Sequence, residues 1–231
     1  MRLDRFLIRR GTHSTKEITY LLADGQVKVD DRIETNGLQS IHRFSKIQLG
    51  EELLQEYEAV YLMLHKPAGY LSATTDPQHP TVIDLIDHPL RHELHLAGRL
   101  DRASTGMILL TNDGKWSKRI TEPAEKISKT YHVTTRDPIS HETVGIFANG
   151  IYFAYEDLTT QPALLDILAP HEALLTIQEG RYHQVKRMFH AVGNQVLSLH
   201  RKSIGPFVLD DSLPVGKFRH LNKAEVNFFR A

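Results

Sequence analysis

No cysteine occurs in the 231 residues, which excludes disulfides, thiolate nucleophiles and every cysteine-ligated zinc or iron site. No stretch approaches the roughly eighteen uncharged apolar residues of a membrane span. The chain opens with Arg2, Asp4 and Arg5 where a secretory signal would carry its apolar core, so a cytoplasmic protein with no membrane partner is expected. Net charge is lacking too: 28 basic residues balance 28 acidic ones, which argues against a surface coated in one sign. No glycine-rich phosphate fingerprint follows a predicted strand, so neither a Rossmann fold nor a P-loop is expected. His88, His92 and His95 do not make a metal site, because Pro89 interrupts the first spacing and no clear carboxylate ligand joins them.

What is present is an ordinary globular composition with 41% hydrophobic residues, long enough for one or two domains. The charge is unevenly placed. Between Gly180 and Lys202 stand Arg181, Lys186, Arg187, Arg201 and Lys202 with no acidic residue, and Met1 to Lys28 holds Arg2, Arg5, Arg9, Arg10, Lys16 and Lys28 against Asp4, Glu17 and Asp24. Two separated basic patches on a neutral protein suit a polyanion held at defined places.

Leu3, Phe6 and Leu7 have helical spacing, with Arg2, Arg5 and Arg9 on another face. Ser14-Thr15-Lys16-Glu17 reads as a capping box, Ile18, Leu21 and Leu22 continue an apolar stripe, and Gly25 closes the second helix. Val27 to Ile33 reads as a hairpin, although Asp30-Asp31 suits a two-residue turn less well than Asp-Gly. A strand follows at 46–49. Glu51 to Glu56 is acidic, lacks strand alternation and is taken as a linker.

Beyond it, Val60 to Leu64 reads as a strand entering the turn His65 to Tyr70, and Asp76 to Pro80 as a second rigid loop after which Thr81 caps a short helix. The stretch Gly98-Arg99-Leu100-Asp101-Arg102-Ala103-Ser104-Thr105-Gly106, followed by the apolar strand Met107 to Leu110, delivers Asp101 to a sheet edge. Alone, Asp101 reads as an aspartate paired with Arg99 or Arg102 in a solvated turn, and only the rest of the chain favours a site. Helices are predicted over 115–120 and 143–148, and strands over 129–134, 163–168 and 173–178. Tyr131 shares a strand face with Val133 and reads as a core residue or a site residue. Val185, Met188, Phe189 and Val192 form one helical stripe that leaves Lys186 off the core face, with Gly193 as a stop. Strands at 196–199 and 207–209 and a helix near 224–229 complete the chain.

The N-terminal order Arg-Leu-Asp-x-Phe-Leu, Ser-capped helix and Gly-x-Val-x-Val hairpin resembles the S4 RNA-binding domain. Gly98-Arg99-Leu100-Asp101 with Ser104-x-Gly106, then Lys129-x-Tyr131, then Gly180-Arg181-x-His183-Gln184-Val185-Lys186-Arg187-Met188-Phe189 resemble, in order and spacing, the pseudouridine synthases. With the Lys66-Pro67-x-Gly69-Tyr70 and Asp76-Pro77-x-His79-Pro80-Thr81 loops, the chain looks like their RsuA-type branch. Ser104 and Met107 stand where threonine and leucine are usual.

The resemblance implies an α+β protein: a small S4 (α-L) domain with linker over 1–57, and a mixed, mainly antiparallel catalytic domain over 58–231. It implies isomerisation of uridine in small-subunit ribosomal RNA by a monomer, with no cofactor or metal. Asp101 would attack the sugar or take a proton from it, Tyr131 would stack on the base, and Lys186 would be the counter-ion. Arg99, Arg181 and Arg187 would bind substrate, and Arg2, Arg5, Arg9, Arg10, Lys16 and Lys28 would meet RNA phosphates. Alternatives are a large-subunit RNA target, a non-catalytic assembly factor and, third, a glycoside hydrolase.

Overall fold

The computed structural model describes residues 1–229 and divides the chain into two compact units, Met1–Ala59 and a second from Val60 onward. In the first unit, helices α1 (Leu3–Arg9) and α2 (Thr15–Ala23) accompany strands β1 (Val27–Val29), β2 (Arg32–Ile33), β3 (Ile47–Leu49) and β4 (Glu52–Gln55). The strands pair antiparallel in the order β2-β1-β3-β4. Leu3, Leu7, Ile18, Leu22, Val27, Ile41 and Ile47 form its core. The Ser14–Glu17 capping box is made in both directions, at 3.3 and 2.7 Å, which satisfies two otherwise orphaned amides.

One expectation is corrected here, and the hairpin of Val27 to Ile33 is as expected. Glu52–Gln55 is strand β4, not linker; it is an edge strand with Glu52 and Leu53 exposed, so no buried face imposes an alternating pattern. Asp30 and Asp31 do form the tight turn, both with positive φ (52° and 64°), as a primed hairpin turn requires. The Asp30 carboxylate accepts from the Lys46 amide at 2.8 Å and Asp31 pairs with the Lys46 ammonium at 2.9 Å, which offsets the strain that glycine would avoid.

The second unit is built on a nine-stranded sheet. Its strands are β5 (Tyr61–Lys66), β6 (His95–Leu96), β7 (Thr105–Thr111), β8 (Lys129–Thr135), β11 (Leu164–Ala169), β12 (Glu172–Ile177), β13 (Val196–Ile204), β14 (Phe207–Val208) and β15 (Phe218–His220). The order is β11-β12-β8-β13-β7-β5-β15, with β14 on β13 and β6 on β7. A separate small hairpin joins β9 (Tyr152–Phe153) and β10 (Leu158–Thr159). All sheet pairs among the described residues are antiparallel except β7 with β13.

Every residue of β7 after Thr105 is buried, because helices cover both faces of the sheet centre. On one side α4 (Glu142–Asn149) and α5 (Gln184–Ala191) bring Phe147 and Phe189 into an edge-on contact at 5.1 Å. On the other, α3 (Gly114–Thr121) buries Trp116 against Tyr61, Phe207 and Phe229, and the indole donates to the Val226 carbonyl of α6 (Lys223–Phe228) at 3.0 Å. The strand expected to end at Leu199 runs on to Ile204; its basic residues mask the continuation, and Arg201 lies inside it. His88 and His95 are apart, the first packed on the His220 ring and the second hydrogen-bonded to Ser117.

Candidate active site

The parallel pair that interrupts the antiparallel sheet sets Thr105 beside His200 and Gly106 beside Arg201. The Gly98–Ser104 loop enters β7 at this junction, and α5 ends five residues before β13 begins. Between the loop, the start of α5 and strand β8 lies a cleft of about 220 Å³. Asp101 stands in it with both carboxylate oxygens engaged: Lys186 Nζ donates to Oδ2 at 2.8 Å, and His183 Nε2 lies 3.2 Å from Oδ1. The carboxylate is about one-quarter exposed, reachable but shielded. Tyr131 is buried in β8 on the same face as Val133, between Leu175 and Arg201 in register, and lines the cleft.

The stretch from Lys66 to Ser72 forms a cradle for the Asp101 loop. Ser72 exchanges hydrogen bonds with both backbone groups of Leu100, at 2.6 and 3.0 Å. Lys66 is wholly buried and its ammonium donates to the carbonyls of Pro67, Arg102 and Ser104 at 3.0, 3.2 and 2.7 Å. Arg102 is drawn off toward the Gly69 carbonyl at 3.0 Å and does not pair with Asp101. From the sheet side, buried Arg201 donates to the Met107 carbonyl at 2.8 Å and the Arg99 carbonyl at 3.1 Å. Lys66 and Arg201 thus tie down the backbone on either side of Asp101 and add positive charge beneath it.

A second buried network shapes the turn into α5. Glu179 accepts from the Gln161 amide at 2.9 Å, from Gln184 at 2.7 Å and from Arg181 at 2.9 Å, while Gln184 accepts the Arg181 amide at 3.0 Å. His183 is thereby held in a left-handed conformation with φ of 49°, a geometry uncommon outside glycine that histidine tolerates better than most. This bend brings both its imidazole and Lys186, three residues on, to one carboxylate.

Of the residues singled out in the sequence, Asp101, Tyr131, Lys186, Arg99 and Arg181 all line the cleft. Arg187 does not. Its guanidinium lies 3.7 Å from the Phe153 ring centroid and donates to both oxygens of Glu156, one at 2.6 Å, so the small β9–β10 hairpin sequesters it from substrate. Arg201, counted with the surface cations, is a buried strand residue, and His183, quoted only within a motif, proves to touch Asp101. In the first unit Arg2, Arg5, Arg9, Arg10, Lys16 and Lys28 are exposed. Arg2 precedes α1 and pairs with Asp4, and Arg10 donates to the Leu54 carbonyl at 3.1 Å.

Burial pushes the Lys66 ammonium down to about 8 from 10.5, with Asp101 pulling it up and Arg201 pushing it further down. Below pH 8 the folded and unfolded chains both carry this proton; between 8 and 10.5 only the unfolded chain does, so this group makes stability rise with pH there. Lys66→Met removes this ionisable group. The unfolding free energy of wild type minus variant is expected to grow by about 3 kcal/mol across that window, measured by parallel urea denaturation. A constant difference would show that the three carbonyls keep Lys66 at its ordinary value.

Among the described residues no three His, Asp or Glu side chains are placed to hold a metal ion, and no helix is long and apolar enough to cross a membrane. The family model for RNA pseudouridylate synthase matches residues 60–191. The ribosomal small subunit pseudouridine synthase A of Pseudomonas aeruginosa is 49% identical over 98% of this chain and 99% of its own length. The protein of the same name from Escherichia coli K12 is 42% identical over 98% of each chain. A crystal structure of a pseudouridylate synthase, 41% identical, superposes with a TM-score of 0.72 over 99% of both chains. With a matched family model across the Asp101 cleft and relatives aligned along nearly the whole chain, this protein belongs to the RNA pseudouridylate synthase family.

Proposed function

We propose that the protein converts a uridine of small-subunit ribosomal RNA to pseudouridine, the activity named for its full-length relatives. The observation that carries the chemistry is one carboxylate held by two cationic or proton-bearing side chains in a shielded cleft. Lys186, donating to Asp101 at 2.8 Å, stabilises charge as uracil departs. Asp101 either forms a covalent adduct or abstracts a sugar proton; the N1–C1′ bond breaks, a C5–C1′ bond forms, and the proton lost from C5 to solvent is matched by one gained at N1, so no group leaves. Tyr131 takes the flipped base on its ring face and its phenol assists loss of the C5 proton. Arg99 and Arg181 hold the flipped nucleotide, whose extraction costs a few kcal/mol.

The first unit serves as an S4-type RNA-binding domain, with Arg5, Arg9, Lys16 and Lys28 presented to phosphates. Charge reversal at Arg5 and Arg9 together is expected to weaken RNA binding about tenfold or more at low salt, with a shallower salt dependence. Pseudouridine mapping across ribosomal RNA from cells with and without the gene tests the substrate. Loss of one small-subunit modification is expected; loss of a large-subunit one would transfer the assignment to that RNA.

A further inference from the structure

Tyr182 is an aromatic side chain 76% exposed, next to the cleft yet not among its walls. Its inner face is covered by the His183 ring, with centroids 3.9 Å apart and planes inclined by only 19°. The same imidazole reaches Asp101 at 3.2 Å. The backbone turn that makes this stack is fixed by buried Glu179 and Gln184 and by Arg187, which donates to the Tyr182 carbonyl at 3.3 Å. None of these bonds uses the Tyr182 side chain. A rigid ring with one face covered, the other open and a partly exposed Arg181 alongside has the form of a stacking surface for a flat, electron-rich group.

We infer that Tyr182 binds a second nucleobase of the RNA, the one adjacent to the target uridine, on its open face. Tyr131 lies inside the cleft and takes the target base, so a ring outside the walls is left for a neighbour on the strand. Extracting the uridine unstacks that neighbour, and Tyr182 replaces the lost contact. The inference rests on the function proposed above.

The test uses small-subunit RNA assembled by ligation around a synthetic segment, with single abasic sites on either side of the mapped uridine. Tyr182→Ala is expected to raise KM about tenfold, the range of one base–aromatic stack, with kcat within about twofold and an unchanged melting temperature. Tyr182→Phe keeps the wild-type KM. One abasic position should cost wild type as much as Tyr182→Ala costs on intact RNA, and cost the Tyr182→Ala protein nothing more. A wild-type KM for Tyr182→Ala, or equal abasic losses in both proteins, overturns the platform while leaving the synthase intact. If wild type forms no pseudouridine in the intact RNA, the functional reading fails and the platform with it.

Discussion

Asp101→Asn is expected to lower tritium release from C5-labelled uridine in ribosomal RNA by at least about 10⁴-fold, the scale of losing a nucleophile, while RNA binding stays within about threefold of wild type. The substitution preserves shape. What it removes is the negative charge between Lys186 and His183 and the carboxylate oxygen proposed to attack or deprotonate the sugar. Both neighbours are partly exposed, so water can solvate them and the fold survives. The loss of a carboxylate from a cationic cleft even favours phosphate, which separates binding from turnover. A non-catalytic assembly factor would predict the reverse pattern, with Asp101→Asn silent and charge reversal at Arg5 and Arg9 damaging. Undiminished release by Asp101→Ala would sink the assignment, and free uracil as product would point to a glycoside hydrolase.

The second large effect lies one strand away. Gly106 has φ of +108°, and a Cβ placed there would sit 2.4 Å from the Arg201 carbonyl oxygen and 2.5 Å from its amide nitrogen. Those are backbone atoms of the neighbouring strand, which no rotamer change can move. Gly106→Ala must therefore push β13 off β7, loosening Arg201 from the Asp101 loop as it does so. We expect a loss of about 3 kcal/mol or more, read as a fall of roughly 10 °C in melting temperature for a unit of this size. Gly98→Ala is the matched control: φ is +102°, yet nothing lies within 4 Å of the added methyl. It should cost only the conformational strain, about 1–2 kcal/mol. Equal effects at the two glycines would show that strand contact is not the reason for Gly106.

The helical stripes, the Ser14 cap and the Asp101, Tyr131 and Lys186 set were legible because each is a local pattern or an ordered motif. Strand β4 was not, since an exposed edge strand carries no buried face to alternate. Lys66 read only as part of a turn and Arg201 as one cation of a basic patch, because composition cannot show that backbone carbonyls of the Asp101 loop and of β7 solvate them. Arg187 misled for the same reason in reverse: its partner Glu156 sits in a hairpin with two-residue strands, too short for any periodicity. His183 could have been found from the Gly180-to-Phe189 stretch, where it lies three residues before Lys186, but only the left-handed bend makes that spacing converge.

The lone parallel join has a consequence for how the protein comes into being. Thr105 and His200 meet although they stand 95 positions apart in the chain, and Asp101 and Lys186 although they stand 85 apart. Contacts of such long sequence separation form late, because loop-closure entropy is spent before they return any stabilisation. A chain emerging from the ribosome can form the β5–β7 and β8–β12 antiparallel pairings before β13 exists, and Arg201 reaches the carbonyls that flank Asp101 only after β13 has been synthesised and has slotted between them. Completion of the Asp101 cleft is thus a late event in the synthesis of the second unit.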